Sequence, residues 1–301
     1  MNILILGKSG MLGSTFLKLL VGVKGLDLFC YDYDTLDITN PEALKKVFEQ
    51  VRPKFVVNCA AYTAVDDCEK NIDLAFKVNG YAVGEIALLS KIHDSILIHF
   101  STDYIFDGEK KDGYKEDEKS FAPLNKYGES KLIGEELIQK NTDKFYIART
   151  SWLFGPNGKN FVDTMLELAK IKQELDVVDD QVGCPTYTFD LASAVIKYFI
   201  EPFLNPNFEQ HEHWLEEDGN VYERQLPFGI YHLTNSNPCS WNEFATKIFE
   251  LSKKNIKVNR VTSDKFPRPA KRPHYSILLN TKIKPLRSWE DALKHYLDLK
   301  S

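Results

Sequence analysis

The chain has 301 residues, 43% hydrophobic and 27% charged, enough apolar material for a sizeable core in one large domain or two modest ones, which excludes disorder over most of its length. Lys plus Arg number 38 and Asp plus Glu 43, a formal net charge of −5; an acidic chain lacks the basic face that a phosphate backbone needs, which excludes a general nucleic-acid role and requires any anion site to be local. No apolar run reaches the ~18 residues of a membrane span, Ile3 to Leu6 is too short for a signal peptide, and Cys30, Cys59, Cys68, Cys184 and Cys239 show no C-x-x-C spacing, so a cytoplasmic chain without disulfides or a zinc site is expected.

The first 150 residues alternate apolar runs with amphipathic segments. Strands are expected at Asn2 to Leu6, Leu26 to Tyr31, Phe55 to Cys59, Ser95 to Phe100 and Lys144 to Ala148. Between them lie helices at Met11 to Leu20, Pro41 to Val51, Asp73 to Ile92 and Asn125 to Gln139. Strands apolar throughout and separated by helices predict an α/β fold, a doubly wound parallel sheet of the Rossmann type covered on both faces. Beyond Arg149 the elements shorten: helices at Phe161 to Ile171, Thr188 to Ile200 and Trp241 to Ser252, strands at Leu175 to Val178 and Gly229 to Leu233. This predicts a dinucleotide-binding domain over 1–150, completed near 188–200 and 229–233. A smaller, interleaved C-terminal substrate lobe takes 151–187 and 234–301, and 202–227 reads as an insertion loop. His211 and His213 flank Glu212 in that insertion; without an H-E-x-x-H helix they read as a solvated loop, and no metal is expected.

Gly7-Lys8-Ser9-Gly10-Met11-Leu12-Gly13 follows a strand and opens a helix. Small residues let the backbone approach a pyrophosphate, and the helix N-terminus offers free N–H groups and partial positive charge. Asp32, at the end of the second strand, is placed to accept a ribose 2′-hydroxyl and to disfavour a 2′-phosphate, which points to NADH. Asp37 and Ile38 are candidates to contact adenine, and Ala60 and Ala61 let the third strand's end pass close to the cofactor.

Tyr127 and Lys131 form Y-x-x-x-K in a helix, the i, i+4 spacing that puts both on one face. A phenol with pKa ~10 needs a nearby cation before it exchanges its proton near neutrality, and Lys131 supplies one. Ser101-Thr102-Asp103-Tyr104 ends the fourth strand and brings a hydroxyl towards the same point. Near the C-terminus, Lys265 to His274 reads KFPRPAKRPH, with Arg268 and Arg272 among four cations and no acid. It is the local charge reversal that a diphosphate requires, although a solvated basic loop reads the same way.

At these residues the chain resembles the extended short-chain dehydrogenase/reductase family, and within it the dTDP-4-dehydrorhamnose reductase family. The resembling stretches are ILGKSGMLG, VVNCAAYTAVDDCE, HFSTDYIFDG, PLNKYGESKLIGE, ARTSWLFGPNGKNFVDTML, VVDDQVGCPTY, GIYHLTN and RPAKRPHYSILLNT. The resemblance implies a catalytic triad of Thr102, Tyr127 and Lys131. It implies substrate contacts at Tyr104 and Trp152, a nucleotide-base site at Asn160 and Phe161, and a cleft lined by Gln181, Pro185 and Thr186. It implies NADPH, where Asp32 points to NADH, and reduction of the 4-keto group of a dTDP-4-keto-6-deoxy sugar by a monomer or homodimer. Alternatives are a reductase of another nucleotide 4-keto sugar and a non-catalytic dinucleotide-binding protein like the regulatory subunit of methionine adenosyltransferase. A dehydratase or epimerase is disfavoured because Tyr104 stands where related dehydratases carry Glu, and no cysteine stands at Ser101-Thr102.

Overall fold

The computed structural model describes residues 1–204, 215–217, 220–222 and 226–300, so His211, Glu212 and His213 lie outside the described residues. The chain begins with β1 (Asn2–Leu6), α1 (Met11–Leu20), β2 (Asp27–Tyr31), α2 (Pro41–Val51) and β3 (Phe55–Asn58). The Asn40 side chain caps α2 by accepting from Ala43 N, and Pro41, which has no N–H to satisfy, takes the first position. Then come α3 (Val65–Cys68), α4 (Ile72–Phe76), α5 (Ala82–Ile92), β4 (Ile96–Thr102), α6 (Lys126–Asn141) and β5 (Phe145–Thr150).

The single helix expected over 73–92 is instead α4 and α5 joined by a π-helical turn, Lys77–Tyr81. The extra residue per turn re-aims one side chain. Asn79 accepts from Tyr62 N (2.8 Å) and donates to Tyr62 O (3.0 Å) and Ser130 Oγ (3.1 Å), pinning the loop after β3 to α6.

The second half holds β6 (Leu153–Phe154), α7 (Phe161–Leu168), β7 (Glu174–Val178), β8 (Val182–Gly183), β9 (Thr186–Tyr187) and α8 (Thr188–Val195). The strands Leu215–Glu217 (β10) and Asn220–Tyr222 (β11) pair antiparallel inside the expected insertion. The chain ends with β12 (Gly229–His232), β13 (Cys239–Ser240), α9 (Trp241–Leu251), β14 (Lys257–Val261), β15 (Tyr275–Ser276) and α10 (Trp289–Asp298).

Six parallel strands form the main sheet in the order β12-β5-β4-β3-β1-β2. The strand alternation divides β1 between two cores. Ile3 and Ile5 pack with Phe16, Leu191, Val195 and Phe199, whereas Leu4 and Leu6 pack with Leu44, Phe48, Val83 and Ile86. A third core joins Phe154, Val162, Phe244, Ile248, Leu293 and Tyr296. Around it the short strands pair as β7–β14, β13–β8–β15 and β6–β9. The strand order reverses between β1 and β3, and in an open α/β sheet the ligand crevice lies at the carboxyl ends flanking that reversal.

Candidate active site

The glycine loop is the floor of this crevice. Gly7 has φ +79°, and a Cβ there would stand 2.8 Å from Ala60 N; a Cβ on Gly13 would stand 2.0 Å from Gly7 O. No side chain larger than hydrogen lets β1, β3 and α1 meet this closely. Gly10, the N-cap, has no side chain to cap α1, and the first turn carries no acid, so no side chain from the helix start takes up its N–H groups. A cavity of about 450 Å³ opens there, lined by Gly10, Met11, Leu12, Ala60, Ala61 and, at its far end, Tyr127 and Lys131. Ser101 Oγ and Thr150 Oγ1 line the same cavity, buried and without hydrogen-bond partners. An uncapped helix end, a glycine cradle and orphaned hydroxyls suit a dinucleotide.

Three adenine-end residues stand differently from expectation. Both carboxylate oxygens of Asp32 are engaged by Ser9, from its N–H (2.9 Å) and from its hydroxyl. The acid therefore braces the loop rather than projecting free. Asp37 accepts from Thr39 N (2.9 Å) and Thr39 Oγ1 (2.7 Å), closing its own turn. Ile38 is buried in the core against α2.

At the far end, β4 delivers Thr102 and α6 delivers Tyr127 and Lys131. Asn125 caps α6 by accepting from Gly128 N (2.9 Å) and donates to Lys271 O (2.8 Å). A Cβ on Gly128 would stand 2.1 Å from Tyr104 O, so glycine lets the helix lie directly on the turn after β4. Tyr104 and Tyr127 meet edge to face, centroids 5.9 Å apart. Thr102 Oγ1 donates to Asp103 Oδ1 (2.8 Å), accepts from Tyr104 N (3.2 Å) and lines the same cavity as Tyr127. Burial, reinforced by Asp103, pushes the Tyr127 phenol well above its ordinary value, so it rests protonated. Burial likewise raises Asp103 to about 6, opposed by hydrogen bonds from Ser276 and Thr102. Lys131 is lowered to about 8 by burial, against the pull of Glu135 and Cys59.

A second cavity, about 370 Å³, shares Tyr104 and Trp241 with the first and is lined by Phe161, Gln181, Arg268 and Arg272. Trp152, at φ +47°, stacks on Trp241 with centroids 3.5 Å apart at the junction. The sequence places Trp241 only as the first residue of a helix and not in the site; the capping box at the head of α9, where Ser240 Oγ accepts from Glu243 N and Glu243 accepts from Ser240 N, fixes that helical start. The other expected cleft residues face elsewhere. Asn160 is the N-cap of α7, accepting from Asp163 N (3.0 Å) and donating to Gly155 O (2.9 Å). Thr186 is fully buried and donates to Cys184 O (3.2 Å), and Pro185 is buried beside it. None of these three lines either cavity.

The basic loop is less unpaired than its sequence suggests. Arg272 Nη1 donates to Asp66 Oδ1 (2.7 Å), Arg268 lies 3.6 Å from the same carboxylate, and Lys265 binds Asp176 (2.6 Å). Burial is the largest influence on Asp66 and would raise it, but the bonds from Arg272 and Ala270 N, together with the charges of Arg272 and Arg268, outweigh it and hold the carboxyl below its usual range. Two arginines share one acid, so the cavity mouth keeps positive charge. Among the described residues no cluster of His, Cys, Asp or Glu is arranged to hold a metal ion, and no helix is long and apolar enough to cross a membrane.

Comparison with known proteins agrees with this geometry. The family model for the RmlD substrate binding domain matches residues 1–301. The spore coat polysaccharide biosynthesis protein SpsK of Bacillus subtilis is 39% identical, covering 100% of this chain and 98% of its own. The crystal structure of a dTDP-4-dehydrorhamnose reductase from Clostridium acetobutylicum is 40% identical with a TM-score of 0.88, covering 100% of this chain and 99% of the other. That of dTDP-4-dehydrorhamnose reductase from Bacillus anthracis in complex with NADP is 34% identical with a TM-score of 0.87, at 100% and 99% coverage. With these matches spanning the glycine loop, the Thr102-Tyr127-Lys131 cluster and the arginine loop alike, the chain belongs to the dTDP-4-dehydrorhamnose reductase family.

Proposed function

We propose that this protein reduces the C4 ketone of dTDP-4-dehydro-L-rhamnose to give dTDP-L-rhamnose, with NADPH or NADH as reductant. The observation that carries the reading is the convergence of Thr102, Tyr127 and Lys131 where the dinucleotide cavity meets the arginine-lined one. The glycine loop and the head of α1 would hold the pyrophosphate, and Tyr127 and Lys131 the nicotinamide ribose. When bound, the reduced nicotinamide supplies the hydride that reaches C4. The Tyr127 phenol, resting protonated, donates to the oxygen as it gains charge, and Thr102 hydrogen-bonds the same atom. Arg268 and Arg272 are offered to the substrate diphosphate, and Phe161 and Gln181 to the nucleoside end. Trp152 stacked on Trp241 walls off the sugar from water and orients it.

We also infer the two-part organisation. Its support is that β12 pairs with β5 in the main sheet while Phe154, Phe244 and Tyr296 pack a separate core. The five cysteines are free thiols, which suits a cytoplasmic enzyme. The test is oxidation of NADPH and NADH, followed by absorbance, with dTDP-4-dehydrorhamnose and other nucleotide 4-keto sugars. Turnover by wild type and its collapse in Tyr127→Phe support the reading. No oxidation at saturating sugar favours the regulatory, binding-only alternative, and full turnover by Tyr127→Phe removes the tyrosine from the mechanism.

A further inference from the structure

The basic loop before β15 is tied down at three consecutive residues, and the mechanism above gives those ties no role. Ala270 N donates to Asp66 Oδ1 on α3 (3.2 Å). Lys271 O accepts from Asn125, the N-cap of α6 (2.8 Å). Arg272 Nη1 donates to Asp66 Oδ1 (2.7 Å) and to Ala270 O (2.6 Å). Ala270 is 1% exposed, so the middle of this charged loop is built into the protein rather than draped over it.

Counting donors shows what these bonds do to Arg272. A guanidinium carries five N–H groups, two of them on Nη1. Both Nη1 hydrogens are taken, one by Asp66 and one by Ala270 O. Nothing among the described residues bonds Nε or Nη2. The Nε–H and one Nη2–H lie parallel on the edge away from Nη1, and that edge grips two oxygens of one phosphate. Arg272 lines the cavity of about 370 Å³. With its Nη1 corner tied back to the protein, the opposite edge is the one left to that cavity.

Charge alone would give Asp66 the contrary role. Arg268 Nη1 lies 3.6 Å from Oδ2 of the same acid, so one carboxylate offsets two cations beside the cavity. On that count, removing the acid should tighten the binding of a diphosphate. Two facts oppose it. The Arg268 side chain is 62% exposed, so water and salt weaken the charge effect. An arginine free to rotate must also be immobilised when a ligand arrives, which costs about 3–10-fold in affinity.

We propose that Asp66 is a positioning residue for the substrate diphosphate: it holds Arg272 by the Nη1 corner and so presents the Nε–Nη2 edge before the ligand arrives. The inference rests on the reading that Arg272 meets a diphosphate, and it deepens that reading by naming what makes the arginine ready.

Calorimetric titration of the full chain with dTDP tests this without turnover. Asp66→Ala is expected to weaken dTDP binding by about 3–10-fold, although it leaves the cavity more positive. In an Arg272→Ala background the same change is expected to cost less than about 2-fold, because Asp66 acts through that arginine; a merely structural role would carry the loss into this background. Asp66→Asn keeps an oxygen that accepts from Arg272 and Ala270 while removing the charge, so it is expected to stay within about 2-fold of wild type, and it carries the test should Asp66→Ala not fold. Tighter binding by either Asp66 variant, a loss repeated in full without Arg272, or a dTDP affinity indifferent to Arg272→Ala overturns the proposal even if the protein proves to be an active reductase. Absence of NADPH oxidation with the 4-keto sugar, alongside the expected dTDP affinities, contradicts only the reductase reading. Wild type that binds no dTDP overturns both.

Discussion

Arg272 and Asp66 stand 206 residues apart in sequence and meet across 2.7 Å, with Asp66 on α3 and Arg272 in the proline-spaced loop before β15. The bond ties the basic loop to the crevice wall. It is also monodentate on the arginine side, through Nη1, which leaves the rest of the guanidinium fork to a ligand. Arg272→Ala is expected to raise KM for the sugar nucleotide by about 10–100-fold with little change in kcat, because the diphosphate contact is the same in ground and transition states. Steady-state kinetics at saturating NADPH checks this; an unchanged KM would place the diphosphate elsewhere.

The Ser9–Asp32 pair bears on cofactor choice. With both oxygens of Asp32 held by Ser9, the acid braces the loop; we propose that it also meets the adenosine ribose when a dinucleotide binds. Asp32→Ala is expected to raise KM for NADH by about 10-fold, about 1.4 kcal/mol, and to affect NADPH less, since the 2′-phosphate no longer meets a carboxylate. Parallel KM values for the two dinucleotides decide it, and an equal loss for both would make Asp32 a structural brace alone.

Arg149 and Glu135 form an ion pair with side chains 0% and 1% exposed, Nη2 to Oε2 at 2.7 Å, and the guanidinium also lies over Phe106 and Phe121. Removing one partner strands the other charge in the interior. Arg149→Met is expected to cost about 3–5 kcal/mol of stability. Urea unfolding measures it, and a loss below about 1 kcal/mol would mean that water reaches Glu135.

Acid should weaken the fold through two histidines. Burial lowers His99 strongly and, with Arg149 second, lowers His232 to about 3. Between that value and the ordinary ~6.5, the unfolded chain binds protons that the native one refuses, so stability falls as pH drops through this window. Asp103, raised to about 6, opposes the trend between about 6 and its ordinary ~4, where the native state holds the extra proton. Calorimetric Tm from pH 7.5 to 4 is expected to fall, and more steeply in Asp103→Asn, which deletes the opposing group.

The main sheet was legible because its strands announce themselves. Ile3 to Leu6, Phe55 to Val57 and Ile96 to Ile98 are apolar throughout, as strands covered on both faces must be. The glycine loop and the Tyr127–Lys131 pair were legible because their spacing is local. Lys257–Val261 was missed: its polar Asn259 and Arg260 hide a strand whose pairing with Glu174–Val178 is non-local. The helix Trp289–Asp298 did carry a signal, Trp289, Ala292, Leu293 and Tyr296 at i, i+3, i+4 and i+7, with Ser288 as cap. Asp66 and Trp241 could not be assigned from spacing, because each acts on a residue from a distant element. Conversely, Asn160 and Thr186 carry polar groups that the fold turns inward for capping and for a tight turn.

The central claim is that Tyr127, Thr102 and Lys131 serve hydride delivery to C4 of a nucleotide sugar. Its most direct measurement is transfer of deuterium from NADPH labelled at the nicotinamide C4 to dTDP-4-dehydrorhamnose, read by NMR of the product. The account predicts deuterium at C4 of dTDP-L-rhamnose with wild type, and a rate about 10²–10⁴-fold lower with Tyr127→Phe although the dinucleotide still binds. Oxidation without label at C4, or undiminished transfer by Tyr127→Phe, would contradict it.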